Sequence, residues 1–236
     1  MAKAVIFDLD GTLIDSAITI LGIINKIRDE RGYPSISMSG LRPHLSKGGR
    51  KLVSESLDEA HEDAEGDLQL FRQYYATAAQ GEDIVFENVK VLLSTLKEMG
   101  FRLGICTNKP SHLCHQALLQ TGLDAYFDSV VTAGEALPSK PDPAAYHKCC
   151  VELEVQSHDT ILVGDSEVDR DTALAADAQF ILVTYGYPIG AIETIEAAAK
   201  CDCPDDILHS VMRVSLPAFA TAAVEPGVAL ELNLGE

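Results

Sequence analysis

Two aspartates, Asp8 and Asp10, follow the apolar run Ala4-Val5-Ile6-Phe7 and precede Gly11 and Thr12. Carboxylates this close repel each other unless a cation lies between them, and oxygen donors suit Mg²⁺. Gly11 and Thr12 permit a tight turn that offers backbone donors beside the acids. A second polar pair, Thr107 and Asn108, ends another apolar run just before Pro110, where a helix is expected to open. Backbone N–H groups at a helix start favour anions. Lys140 precedes Pro141 in the run Ser139-Lys140-Pro141-Asp142-Pro143 and supplies a single ammonium. Asp165 follows Gly164, and Asp169 lies four residues further on, so two more carboxylates become available to a metal. Singly, these features read as a solvated turn, a helix cap and a surface charge. Their joint occurrence, in this order, is what asks for a common explanation.

The elements that must hold these residues are short and buried. Strands are expected at residues 4–7, 102–106, 129–132, 160–163 and 180–183. Helices are expected from Asn88 to Met99, Pro110 to Gln120, Pro143 to Leu153 and Val168 to Ala176. Strands alternating with helices imply an α/β class with a parallel sheet covered on both faces. Such sheets bind ligands outside the carboxyl ends of their strands, and each candidate segment lies at a strand end or a helix start. Residues 15–83 break the alternation. Helical stripes at Ile18, Leu21, Ile24 and Ile27, at Leu52, Val53, Ser56 and Leu57, and at Leu68, Phe71, Tyr74 and Tyr75 read as an inserted helical unit. The expected organisation is a catalytic core of residues 1–14 and 84–214, the helical insert at 15–83, and a tail at 215–236.

Acidic residues outnumber basic ones 36 to 18, for a net charge of −18. Such a surface repels nucleic acid and anionic membranes, and would repel a phosphorylated ligand unless positive charge were concentrated locally. Hydrophobic residues make up 47% of the 236, enough for a sizeable core. No apolar run reaches the length of a membrane span, and no secretory signal is visible. The six cysteines lack zinc-site spacing and suit a reducing cytoplasm. One stretch departs from the acidic background. Residues 31–54 hold Arg31, Arg42, Lys47, Arg50 and Lys51 and no acidic residue.

The segments DxDGT, TN, KP and GDSxxD, in this order, resemble the haloacid dehalogenase superfamily. The DLDGTLIDS opening, the helical insert after it and the TNKP and TYGY segments are similar to the phosphoglycolate phosphatases within it. The resemblance implies a Rossmann-like core, a helical cap, Mg²⁺ dependence, and hydrolysis of a small phosphorylated metabolite. It implies Asp8 as nucleophile, and Asp10 as acid for the leaving group and then base for water. It implies Thr107, Asn108 and Lys140 around the phosphoryl group. Mg²⁺ would lie on Asp8, Asp165 and the backbone carbonyl of Asp10, with Asp169 orienting Lys140 or the metal's waters. Arg42 and Lys47 fall where the cap's specificity loop would lie, and are expected to meet the substrate's far end. The cap departs from the family pattern at Leu45-Ser46-Lys47-Gly48, where Ser46 replaces the first glycine of a glycine-rich turn. A β-phosphoglucomutase-like phosphotransferase would share every core motif. A non-catalytic binding protein of the same fold would have no reason to keep Asp8, Asp10, Lys140 and Asp165 together.

Overall fold

The computed structural model describes residues 2–47, 49–57, 64–78, 81–133, 136–188 and 190–215. Strands β1 (Ala4–Phe7), β2 (Arg102–Thr107), β3 (Ser129–Thr132), β4 (Thr160–Gly164), β5 (Gln179–Val183) and β6 (Ala199–Cys201) form one sheet in the order β3-β2-β1-β4-β5-β6. Every pairing is parallel. The five expected strands are present. β6 is an addition: a three-residue edge strand with Lys200 exposed, too short to carry a pattern of its own.

Side chains alternate along each strand, as the strand period requires. Val5, Phe7, Ile105 and Val163 face one core with α5 (Val89–Glu98), α6 (Ser111–Thr121) and α9 (Pro204–Ser215). Ala4, Ile6, Cys106 and Leu162 face the other, with α7 (Ala144–Glu152) and α8 (Glu167–Ala175). Both sheet faces are therefore covered, which explains why the strands read as continuous apolar runs. The tail from 216 onward lies outside the described residues.

Between β1 and α5 lie α1 (Ala17–Glu30), α2 (Met38–Leu41), α3 (Gly49–Leu57) and α4 (Ala64–Thr77). They enclose a third core built on Ile20, Ile24, Ile27, Leu52, Val53 and Phe71. The two passages between this helical cap and the sheet domain run side by side. Ile14 pairs antiparallel with Val85, the Asp15 N–H donates to the Ile84 carbonyl at 2.7 Å, and the Phe86 N–H donates to the Leu13 carbonyl at 3.1 Å. One expectation changes here. The buried face of α1 is Ile20, Ile23, Ile24 and Ile27, whereas Ile18 is 68% exposed. Isoleucine stands at 18, 20, 23, 24 and 27, so two helical faces were apolar, and the partners in α3 and α4 chose between them.

The basic stretch is partly spent inside the cap. Arg31 pairs with Asp67, and Arg50 lies 2.5 Å from Glu65. Among the described residues, no helix is long and apolar enough to cross a membrane.

Candidate active site

The sheet order β3-β2-β1-β4 places the ends of β1, β2 and β4 next to each other. The sheet pairing extends one step past β1, with the Asp8 N–H donating to the Val163 carbonyl at 2.9 Å. Beyond it the chain turns sharply: the Leu9 carbonyl accepts from the N–H groups of Thr12, Leu13 and Ile14. Gly11 adopts φ +80°, a region glycine enters without strain. A Cβ there would also lie 2.3 Å from Asp165 Oδ2.

Asp8, Asp165 and Asp169 are all buried, and each offers an oxygen within 4.8 Å of the others. The Lys140 ammonium reaches two of them, Asp169 Oδ1 at 2.6 Å and Asp8 Oδ1 at 2.9 Å. Burial opposes the charge on Lys140, but Asp169 and Asp8 outweigh it and its pKa is raised. Burial pushes the Asp8 carboxyl up to about 6, Lys140 opposing and Asp169 adding to the rise. Burial, Asp169 and Asp8 push Asp165 well above the ordinary carboxylate range. One ammonium thus pairs with two of the three buried carboxylates.

This donor set fits a hard divalent cation. Asp8 Oδ1 is buried and has no hydrogen-bond partner; its approach to Lys140 is an ion pair without hydrogen-bond angles. The three acids differ in what remains to them. Both oxygens of Asp169 are taken, Oδ1 by Lys140 and Oδ2 by the Ser166 hydroxyl at 2.8 Å and its N–H at 3.2 Å. The contact to the Ser166 N–H belongs to the capping box that opens α8. Asp165 Oδ2 accepts the Tyr187 N–H at 2.6 Å. Asp8 and Asp165 are therefore the better placed to hold a metal, and Asp169 is placed to hold Lys140. The Asp10 carboxylate is not in the cluster.

The other sequence-derived candidates sit around the same point. Thr107 is buried at the end of β2, and its Oγ1 accepts the Lys109 N–H at 3.2 Å. The Asn108 side chain exchanges two hydrogen bonds with the Lys140 backbone, accepting its N–H at 2.8 Å and donating to its carbonyl at 3.2 Å. Asn108 thereby fastens the Lys140 loop to β2. Asp8, Asp10, Thr107, Asn108, Lys140, Asp165 and Asp169 all line one cavity of about 120 Å³. Arg42 is exposed and is not among its lining residues. The Lys47 side chain lies outside the described residues.

The sequence pattern of the haloacid dehalogenase-like hydrolases matches residues 5–183. The phosphoglycolate phosphatase of Rhodobacter capsulatus is 36% identical over 208 residues, 85% of this chain and 92% of that one. A plasmid-borne phosphoglycolate phosphatase of Cupriavidus necator is 35% identical over 226 residues, covering 93% and 94%. A crystal structure of a predicted phosphoglycolate phosphatase from Haemophilus somnus superposes with a TM-score of 0.80 at 28% identity, covering 89% of this chain and 98% of that one. The chain belongs to the haloacid dehalogenase-like hydrolase family. It is a phosphoric monoester hydrolase of that family.

The fold of the hydrolase also brings to the site residues to which the sequence assigned no role. Lys109, 7% exposed, donates to both oxygens of Asp10, at 2.9 and 3.0 Å. It belongs to the TNKP segment, but a lone lysine after a strand ordinarily reads as a surface charge. The TYGY segment braces the β1 turn: Tyr185 Oη donates to the Thr12 carbonyl at 2.9 Å, and Tyr187 Oη donates to Asp15. Gly186 between them lies against Asp165, where a Cβ would fall 2.3 Å from the Asp165 Cβ.

Gly164 gives a test of this close fit. A Cβ there would lie 2.4 Å from Asp169 Cγ and 2.5 Å from its Cβ. Gly164→Ala should shift Asp169, loosen Lys140, and lower kcat/KM on any phosphomonoester by about ten-fold or more. Steady-state kinetics beside a far-UV circular dichroism spectrum checks this. An active Gly164→Ala enzyme would mean that the Asp169–Lys140 contact is dispensable.

Proposed function

We propose that this hydrolase is a Mg²⁺-dependent phosphatase of small phosphomonoesters, phosphoglycolate among them, that carries the phosphoryl group on Asp8. What supports the reading most is the Asp8 carboxylate. It is buried and lines the cavity with one oxygen unbonded, the Lys140 ammonium beside it and Asp10 two residues on. The named relatives point to the same substrate class.

In the first step an Asp8 oxygen attacks phosphorus and the bond from phosphorus to the ester oxygen breaks. Asp10 gives a proton to the departing oxygen. In the second step water attacks the phosphorus of the aspartyl-phosphate while Asp10 takes a proton from it. Inorganic phosphate leaves and Asp8 is regenerated. Lys140 offsets the negative charge gathered on the phosphoryl oxygens, and Asp169 holds Lys140 in place. Thr107 and the N–H groups after β2 steady the group through transfer, since phosphoryl transfer relies on positioning and charge stabilisation. Mg²⁺, held by Asp8 and Asp165 with the Asp10 carbonyl, would offset the repulsion between carboxylate and phosphate. The free cysteines accord with a cytoplasmic setting.

The cap side of the cavity is largely apolar, with Ile20, Leu45, Leu52 and Phe71. Arg42 and Lys47 bracket Leu45 on the turn that reaches the cavity, and we assign them to the anionic end of the substrate. Arg42→Ala and Lys47→Ala should each lower kcat/KM for 2-phosphoglycolate by about ten-fold, the worth of a charge-assisted contact. They should alter p-nitrophenyl phosphate hydrolysis far less. Phosphate release from the two substrates decides. Undetectable 2-phosphoglycolate turnover by the parent enzyme would remove that substrate, and equal losses on both would make these residues supports of the cap fold.

A further inference from the structure

Lys109 joins two parts of the molecule that the chemistry must bring together. Its ammonium holds both oxygens of Asp10 in the core, and it donates to Tyr75 Oη at 2.6 Å. Tyr75 belongs to α4 of the cap, and its ring centroid lies 4.4 Å from the same ammonium. Burial works against this charge, yet Asp10 and the Tyr75 hydroxyl outweigh it and raise the lysine's pKa. A buried ammonium with these partners is a fixed point: Asp10 balances its charge, and the Tyr75 hydroxyl takes a further N–H that would otherwise lack an acceptor in a desolvated place.

The seam around it is built from the same two elements. Gln116 of α6 donates to the Ala76 carbonyl of α4 at 2.7 Å, and Leu113 of α6 is buried within the cap's own core. Lys109 sits two residues before α6 begins. The contact between α4 and α6 therefore meets the Asp10 side chain through Lys109, and Tyr75, Lys109 and Asp10 all line the cavity.

We infer that Lys109 is a positioning residue for Asp10 and that Tyr75 makes this position depend on the cap. The carboxylate is aimed at the attacking water only while α4 lies against α6. The inference rests on the acid–base role proposed for Asp10. It gives cap closure a chemical consequence beyond excluding solvent: an enzyme whose cap is open keeps Asp8 and Lys140 but loses the orientation of its base.

Rapid-mixing kinetics on p-nitrophenyl phosphate separates the two half-reactions. Nitrophenolate leaves without a proton donor, so the burst reports attack by Asp8, and the steady state that follows reports hydrolysis of the aspartyl-phosphate. In Lys109→Met the burst should persist while the steady-state rate falls by about ten-fold or more. Tyr75→Phe leaves the Lys109–Asp10 pair intact and removes only the hydroxyl; it should show the same pattern with a fall of about three-fold or more. Asp10→Asn, measured alongside, should give the same pattern at full size. If Asp10→Asn shows it and Lys109→Met loses burst and steady state equally, Lys109 is structural, and if it loses neither, Lys109 is dispensable; in both cases the inference fails while the acid–base reading stands. If Asp10→Asn itself lacks the pattern, the acid–base reading fails and takes this inference with it. A Tyr75→Phe enzyme with the parent steady-state rate would overturn the link to the cap.

Discussion

Asp8→Asn should lower turnover of any phosphomonoester by at least about a thousand-fold while the protein still folds. The amide preserves shape and volume at the end of β1, where the Asp8 N–H continues the sheet by donating to the Val163 carbonyl. The backbone contact does not depend on the side-chain charge. What disappears is the oxygen nucleophile, and with it the covalent step that divides the reaction in two. The substitution also relieves the crowding of three buried acids around one ammonium. A melting temperature equal to or above that of the parent is therefore expected. Steady-state kinetics with deamidation excluded by mass spectrometry, together with thermal denaturation, tests both halves. Residual activity near a tenth of the parent would be incompatible with a phosphoryl group carried on Asp8.

Removal of divalent cations should be nearly as damaging. With excess chelator, phosphate release should fall by about a hundred-fold or more, and added Mg²⁺ should restore it. The physical basis is the uncompensated charge at the site. Burial holds Asp8 and Asp165 above the usual carboxylate range, which signals that their ionised forms lack sufficient partners. A cation that binds the folded chain at these acids also stabilises it by mass action. Millimolar Mg²⁺ should raise the melting temperature of the parent enzyme, and Asp165→Asn should abolish most of that rise. This thermal readout is independent of catalysis. Full activity in chelator, or an equal Mg²⁺ shift in Asp165→Asn, would count against a site on Asp8 and Asp165.

The fold of the core and the acids of the site were legible in the chain because their signals are local. A strand buried on both faces must be apolar throughout, so residues 4–7 and 160–163 announced β1 and β4 without any knowledge of their neighbours. Motif residues placed directly after such runs must emerge at the carboxyl edge of the sheet, which is why Asp8, Thr107 and Asp165 were identifiable together. Helix ends were set by proline and glycine, and α6 and α7 begin one residue after Pro110 and Pro143.

Whatever depended on a partner distant in sequence was not legible. The face of α1 that turns inward was fixed by α3 and α4, since isoleucines occupied more than one face. Lys109 and Tyr75 gave no signal as a pair: the tyrosine fell on an ordinary helical stripe, and the lysine carried no signal of its own. Only the docking of α4 on α6 buries that ammonium, and a buried ammonium must take its partners from whatever the fold brings within about 3 Å. The same holds for Asn108, whose amide fastens the Lys140 backbone 32 residues away. The sequence by itself determined which chemical groups the hydrolase possesses and at which strand ends they emerge. The tertiary structure alone decided which of them touch, because hydrogen bonds and ion pairs in a desolvated site join segments far apart in the chain, Asp10 and Lys109 among them at 99 residues.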